Sequence, residues 1–489
     1  MLFNSHIFML LFLPLLLAGW YFLNWKKKFQ LAQGYLIGMS LWFYAYANLQ
    51  YLWLLLFSCL IGWLLSCLPE KIFSEKGKKV LTGVGCVFHL GLLGYFKYSN
   101  FFLENLNTVF HTDFPMLQIL LPVGISFYTF QQLAYLIDRC RGDAPRDSFF
   151  DYLTFMVYFP QLLQGPILLR SEFMGQLKEP ERRRFHAERF SEGIQFFVFG
   201  LAKKVLLADT LAKAVNYGYS NGSMLDSISA LLLAVGYLTE LYFDFSGYCD
   251  MAVGLGKMIG LEVAENFDAP FHSASVKEFW RRWHMTLGRF FTRYVYIPLG
   301  GNRRGKMRTL CNVMIVMLLS GLWHGAAWTF VLWGFLHGVG MIWDNLEHPH
   351  LPKKWMRQAA TFAYVCMTFV FFRAESIAQG IDVLKSIVSM KWNGFVFQMA
   401  SALDMTECYI ITKALSMKLP GLLSWFWLGI FVVLIAICFR VLSGEKVSGV
   451  VALQRQKGYG RLYPVLLAVL FTWSIISMTG VSEYLYFSF

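Results

Sequence analysis

The chain has 489 residues, of which 57% are hydrophobic, 18% aromatic and 15% charged, and its formal net charge is +13. Soluble domains carry about 25% charged residues, and here the apolar residues come in runs of roughly 20, the length that crosses a bilayer. This composition excludes an ordinary soluble protein. The basic residues lie in short loops between apolar runs, as in cytoplasmic loops, so we expect no nucleic-acid partner. The cysteines are scattered without a paired motif, which argues against a disulfide framework and a zinc site.

Apolar segments recur along the whole chain, and we predict an all-α integral membrane protein with roughly eleven to thirteen spans. We interpret the first segment as a retained membrane helix, because it has neither a basic leader nor a small-residue cleavage site. We expect a single polytopic domain over 1–489, with a core at approximately 90–345 and C-terminal helices over 359–479. The predicted spans are 4–24, 31–49, 51–68, 80–96, 116–137, 191–208, 228–247, 309–323, 326–345, 359–372, 421–440 and 462–479.

Basic loops predict the orientation of the spans. Three lysines at 26–28 follow the first span, and Lys71, Lys76, Lys78 and Lys79 follow the third. Positive charge marks cytoplasmic loops, so the N-terminus is predicted to lie outside. The basic loops at 139–150 and 170–189 would then both be cytoplasmic, although an apolar segment separates them. A single full span cannot join two loops on the same side.

We therefore predict that 152–169, which contains Pro160, Gly165 and Pro166, enters the membrane and returns. Such irregular backbone is tolerated in a membrane only where protein or a water-filled cavity surrounds it. The segment 286–300, which lies between two arginine pairs, is predicted to be a second re-entrant or interfacial segment. The polar-leaning stretch 373–420 is predicted to lie outside and to begin with an amphipathic surface helix.

His324 is the strongest candidate for catalysis among the ten histidines. It stands at the end of a predicted span between Gly321 and Gly325, which leave room for a substrate. A titratable group at membrane depth indicates a functional site, and a histidine can take a proton near neutral pH. The alternative is a buried histidine bonded to a backbone carbonyl. His348 and His350 lie in a proline-rich loop and are predicted to be solvated.

His284 follows Trp280 in a stretch that, if helical, is amphipathic. His284 would then lie on an aromatic face, where it could position a donor or a neighbouring helix. Arg282 would lie on the opposite, basic face. That face could meet phosphates of lipids or of an acyl donor, or only the cytoplasmic interface.

Two other groups are less specific. His337 lies in an aromatic helical stripe, which is more typical of a core than of a site. Asp244 belongs to the polar cluster 242–250 inside an apolar setting, where a carboxylate is costly unless it is paired. It could orient a histidine or bind an arginine, but we favour a structural role as a cap at a helix break.

Seven stretches, in this order along the chain, resemble the membrane-bound O-acyltransferase family, and within it the bacterial alginate O-acetyltransferase branch. They are Phe-Lys-Tyr-Ser-Asn-Phe-Phe (96–102), Leu-Pro-Val-Gly-Ile-Ser-Phe-Tyr-Thr-Phe-Gln (121–131), Tyr-Phe-Pro-Gln-Leu-Leu-Gln-Gly-Pro-Ile (158–167), Tyr-Phe-Asp-Phe-Ser-Gly-Tyr (242–248), Phe-Trp-Arg-Arg-Trp-His (279–284), Tyr-Ile-Pro-Leu-Gly-Gly (296–301) and Ser-Gly-Leu-Trp-His-Gly (320–325).

The resemblance implies a ring of tilted helices around a thinned centre, with cytoplasmic and extracytoplasmic funnels that meet near His324. It implies that His324 and His284 are catalytic, with His324 as general base. We predict that the substrate is bound by Trp323, Trp280, Asp244 and Arg282. The donor would be acetyl-CoA or an acyl-carrier thioester, with no bound cofactor and no metal.

The resemblance also implies partners and a location. An extracytoplasmic SGNH-type acetyltransferase would complete transfer to a polysaccharide acceptor, and the protein would lie among the lipids of the cell membrane. D-alanyl transfer to teichoic acid and O-acetylation of peptidoglycan remain open within the family. A transporter or flippase remains open outside it, because such proteins also place polar groups and broken helices at the membrane midplane.

Overall fold

The computed structural model describes residues 1–47, 49–67, 75–346, 351–442, 446–457, 460, 462–478 and 484–485. Lys71, His348 and His350, which carried sequence predictions, lie outside these residues. Within the described ranges the chain is helical and contains no strand, which confirms the all-α prediction. The described residues form two compact units. Unit 1 comprises 1–197, 249–265 and 289–295, and unit 2 comprises 198–248, 266–288 and 296–489.

Unit 1 is built from short and long helices that follow one another closely along the chain. A π-helical segment at Phe8–Phe12 leads into the first of them, and another at Gly94–Tyr98 joins Glu75–Leu93 to Ser99–Phe110. The helices are Leu13–Trp25, Phe29–Ala47, Leu49–Cys67, Glu75–Leu93, Ser99–Phe110, Ile125–Arg141, Phe149–Val157, Phe159–Leu162 and Arg170–Lys178.

Unit 2 contains the helices that carry most of the predicted site. They are Asp209–Ser220, Val276–Arg282, Lys306–His324, Trp328–Asn345, Lys354–Arg373, Ile377–Val388, Phe395–Ser401, Tyr409–Lys418, Pro420–Leu442, Val447–Lys457 and Leu462–Ile476. Three further helices contribute residues to both units: Ala187–Ala202, Ser227–Ile259 and Met285–Phe291.

Six helices of the described chain are long and apolar enough to cross a membrane. They are Phe8–Trp25, Leu49–Cys67, Lys76–Phe110, Ser227–Ile259, Lys306–His324 and Pro420–Phe439. Most of the other predicted spans also fall on helices, although these are shorter or less apolar. The prediction of 116–137 as one span is wrong at its start, because the helix begins only at Ile125. Pro122 and the left-handed Gly124 (φ 78°) precede it and prevent an earlier helical turn.

The segment 152–169 is broken, as its prolines and glycine predict. One helix ends at Val157, a four-residue helix runs from Phe159 to Leu162, and the chain is then irregular as far as Leu169. Its residues from Thr154 to Leu168 are buried in protein, which is the condition for irregular backbone at membrane depth. Its entry into and return from the membrane stays a prediction.

Two glycines allow the helices Lys306–His324 and Trp328–Asn345 to pack backbone to backbone. A Cβ atom on Gly334 would lie 2.5 Å from the carbonyl oxygen of Met317, and one on Gly321 would collide with the carbonyl oxygen of Phe330. Small residues at such crossings are typical of membrane helices, because association there depends on close packing. This crossing fixes the end of the helix that carries His324.

The predicted helix after Arg373 is observed at Ile377–Val388, and its place at the outer membrane surface stays a prediction. Ser376 caps it by accepting a hydrogen bond from the backbone N–H of Gln379 (3.1 Å). Gly380 and Val383 are buried, whereas Ile381 and Val388 are exposed. The helix therefore has one packed face, and its exposed side carries apolar residues together with the charged Asp382 and Lys385.

Candidate active site

His324 is the last residue of the helix Lys306–His324. The helix ends there because Gly325 is extended (φ −157°, ψ 150°). The imidazole is 3% exposed and lies among three aromatic side chains. Its ring centroid is 4.9 Å from that of Trp323, 5.2 Å from Trp333 and 5.2 Å from Phe372. An enclosure of this kind holds the ring in one place and excludes bulk water.

His284 lies at a break between two helices, and the prediction of a continuous amphipathic helix through 279–291 is wrong here. The first helix ends at Arg282, Trp283 is extended, and His284 has a positive φ of 46°. Positive φ is costly for a residue other than glycine and persists only where surrounding contacts enforce it. The break turns His284 away from the face that carries Trp280.

Asn266 enforces the conformation at His284. Its Oδ1 accepts hydrogen bonds from the backbone N–H (3.0 Å) and the hydroxyl (2.8 Å) of Thr286, and it lies 3.4 Å from Nδ1 of His284. Because the Asn266 oxygen can only accept, Nδ1 of His284 carries the proton and Nε2 carries the lone pair. Burial lowers the pKa of His284 to about 3, so the ring is neutral at physiological pH.

The two tryptophan-histidine motifs of the sequence, 283–284 and 323–324, meet at these histidines. The ring centroids of His284 and His324 are 6.5 Å apart, and Trp323 lies 6.1 Å from His284. Phe245 packs edge-on against His284 at 4.7 Å. At this separation both imidazoles can reach the same reacting group. The structure thus brings together His324, His284 and Trp323, and their roles in catalysis and substrate binding stay predictions.

His337 is satisfied within the protein, as a core histidine would be. Its Nδ1 accepts a hydrogen bond from the indole N–H of Trp280 (3.2 Å), and its Nε2 lies 2.9 Å from the hydroxyl of Thr368. That hydroxyl donates to the carbonyl of Val365 (2.8 Å), so it accepts from the Nε2–H of His337. Trp280 is consequently engaged with His337.

Asp244 and Arg282 have partners other than those considered from the sequence. Asp244 lies within the uninterrupted helix Ser227–Ile259, so its interpretation as a cap at a helix break is wrong. It forms a buried ion pair with Lys204 (2.6 Å), and Lys204 also pairs with Asp209 (2.8 Å). Arg282 pairs with Glu278 (3.0 Å) and donates to the carbonyl of Asp268 (3.2 Å).

A cavity of about 540 Å³ lies within unit 2, and its wall includes Phe372 but not His324. Phe372, which contacts the imidazole, forms part of its wall together with Phe330 and Tyr484. The sequence analysis missed most of its polar lining. The charged residues in the wall are Lys204, Asp209, Glu240, Asp244, Arg373 and Glu375.

Comparison with known proteins supports the family resemblance. The model of the membrane-bound O-acyltransferase family matches residues 141–379. The peptidoglycan O-acetyltransferase of Helicobacter pylori is 35% identical over 80% of this chain and 80% of its own length. The probable alginate O-acetylase AlgI of Azotobacter vinelandii is 39% identical over 77% of this chain and 76% of its own.

A relative of lower identity is named for a different activity. The teichoic acid D-alanyltransferase of Streptococcus thermophilus is 28% identical over 49% of this chain and 58% of its own length. The extended matches at 35–39% identity, together with the family model, decide the classification. The chain is a multi-pass membrane enzyme that belongs to the membrane-bound O-acyltransferase family.

Proposed function

We propose that this enzyme transfers an acetyl group from a thioester donor to a hydroxyl group for O-acetylation of an exported glycan. The observation that carries the proposal is the juxtaposition of His324 and His284 inside an aromatic enclosure. Acetyl is favoured over D-alanyl because the O-acetylating relatives match at 35–39% identity over 77–80% of the chain, against 28% over 49%.

In the proposed reaction His324 acts as general base. It removes the proton from the acceptor hydroxyl, whose oxygen attacks the thioester carbonyl carbon. The new ester C–O bond forms, the C–S bond breaks, and the proton passes from His324 to the departing thiolate. The neutral His284, whose Nε2 carries a lone pair, orients the donor by accepting a hydrogen bond.

The substrates, partners and topology complete the proposal. The donor is acetyl-CoA or an acyl-carrier thioester that arrives from the cytoplasm. An extracytoplasmic SGNH-type acetyltransferase completes delivery to the glycan. The enzyme lies in the cell membrane with its N-terminus outside, in keeping with the lysines that follow the first span.

The test uses cells that lack the gene and are complemented with the wild type, His324→Ala or His186→Ala. His186 is exposed and serves as the control for loss of a histidine. Acetate and D-alanine are released from the exported glycans by mild alkali and measured by mass spectrometry. We expect His324→Ala to abolish glycan acetate, and His186→Ala to retain it, at equal protein levels. Unchanged acetate in His324→Ala cells would overturn the proposal, and loss of D-alanine alone would identify the enzyme as a D-alanyltransferase.

A further inference from the structure

The charged cavity of unit 2 and the general base of the proposed reaction lie on opposite sides of one aromatic ring. Phe372 packs against His324, with ring centroids 5.2 Å apart, and it also forms part of the cavity wall, to which His324 does not belong. Phe372 is 2% exposed, and Trp333 packs against it at a centroid distance of 5.0 Å. The ring of Phe372 therefore separates the cavity from the imidazole.

Phe330 extends this separation to the backbone beside His324. Its ring packs edge-on against Phe372 at 4.8 Å and lines the same cavity. It also lies directly on Gly325, the residue after His324, where an added Cβ atom would collide with the ring. Phe330 and Phe372 together form an aromatic partition between the cavity and the end of the helix that carries His324.

The cavity on the other side of the partition is suited to water. Its wall carries six charged side chains, and charged groups are costly to bury without water or partners. The exposed residues Asn216 and Glu375 also belong to the wall, so the cavity reaches the protein surface. A polar cavity of about 540 Å³ with access to solvent has ample room for water molecules.

Water that reached His324 would compete with the acceptor hydroxyl. A base that removes a proton from a hydroxyl group can do the same to water. The water oxygen would then attack the thioester carbonyl carbon, the C–S bond would break, and the proton would pass from His324 to the departing thiolate. The products would be acetic acid and the free thiol. An acyltransferase must therefore keep water away from its base.

From these observations we propose that Phe372, supported by Phe330, excludes the water of the cavity from His324 and so makes the enzyme select a hydroxyl acceptor over water. This inference rests on the proposed function, because it takes His324 as the base that would activate the water. Phe372 is then a specificity-determining residue that performs no chemical step itself.

The test measures hydrolysis of labelled acetyl-pantetheine, the portion that acetyl-CoA and an acyl-carrier thioester share, by the purified full-length protein in lipid nanodiscs without acceptor or partner. The variants are Phe372→Ala, Phe330→Ala and Phe372→Leu, which keeps an apolar side chain in the partition. Phe371→Ala is the matched control. Phe371 is the neighbouring buried phenylalanine (6% exposed), and its ring packs against Gly380. The melting temperature of each variant is recorded.

We expect slow hydrolysis by the wild type, Phe372→Leu and Phe371→Ala. Phe372→Ala should hydrolyse the thioester about tenfold faster or more, because the lost ring leaves more space than the roughly 30 Å³ that a water molecule takes up. Phe330→Ala should also raise the rate, and it serves as the second variant if Phe372→Ala does not fold. The double variant Phe372→Ala/His324→Ala should return to slow hydrolysis, because the base is lost. A merely structural role of Phe372 would lower the melting temperature without raising hydrolysis.

Three results would overturn the inference: wild-type rates of hydrolysis in the folded alanine variants of the partition, a rise that persists without His324, or the same rise in Phe371→Ala. Failure of the proposed function gives a different pattern, which is read from acetyl transfer to glycan by the wild type together with its extracytoplasmic SGNH-type partner. No transfer there, with His324-dependent hydrolysis in Phe372→Ala, would refute the transferase function and leave Phe372 as the barrier. Transfer with unchanged hydrolysis would remove only the barrier.

Discussion

Replacement of Gly334 by alanine should impair catalysis without removing any chemical group from the site. The added Cβ would lie 2.5 Å from the carbonyl oxygen of Met317, whereas ordinary contact begins at 3.4 Å. The two helices must therefore separate by roughly 0.9 Å at their crossing. Trp333, the residue before Gly334, packs against His324 at 5.2 Å, so the displacement reaches the base.

Such overpacking costs about 1–3 kcal/mol of unfolding free energy, and a misplacement of about 1 Å can slow a reaction about 100-fold. We expect Gly334→Ala to lower the melting temperature and to reduce acetyl transfer by about one to two orders of magnitude. Gly429→Ala is the matched control, because Gly429 is also helical and a Cβ there meets nothing within 4 Å. If Gly334→Ala were as stable and as active as Gly429→Ala, the close crossing would not position His324.

Three further predictions concern buried polar groups. Lys204→Met should destabilise the protein by about 3–5 kcal/mol, because it leaves the charge of Asp244 unpaired. In thermal unfolding, the double variant Lys204→Met/Asp244→Leu should recover much of the lost stability. No recovery would refute the pairing. His337→Phe should lower the melting temperature but leave the turnover of the folded enzyme nearly unchanged, because both ring nitrogens of His337 form hydrogen bonds within the protein. Loss of turnover at an unchanged melting temperature would contradict this. Because burial lowers the pKa of His284 below its unfolded value of about 6.5, the unfolded state binds more protons, and stability should fall as the pH drops from 7 towards 3. His284→Gln should show a weaker fall in melting temperature over this range, and an identical fall would show that His284 does not titrate in this way.

The membrane character, the helices and the principal histidine could be predicted from the sequence, because each depends on local features. Runs of apolar residues give the spans, and prolines predict the irregular backbone of 152–169. His324 is marked by its place at the end of a span between two glycines. These signals require no knowledge of which segments pack together.

The break at His284 and the partners of Asp244 depend on residues far away in the chain. Neither glycine nor proline lies at the break itself, 282–285, and the positive φ of His284 is held by Asn266, 18 positions earlier. Lys204 and Asp244 are 40 residues apart. A lysine and an aspartate, each costly inside an apolar run, could have suggested this pair. The same reasoning would have drawn attention to Glu240, one turn before Asp244.

The most direct test of the central claim is the rate of acetyl transfer by purified enzyme in lipid nanodiscs, assayed together with its extracytoplasmic SGNH-type partner, a labelled acetyl thioester and glycan isolated from cells that lack the gene. The wild type and His324→Ala are first shown to have the same melting temperature and are then compared at equal protein concentration. If His324 is the general base, the variant should transfer acetyl at least about 100-fold more slowly. Transfer by His324→Ala at the wild-type rate would contradict the account.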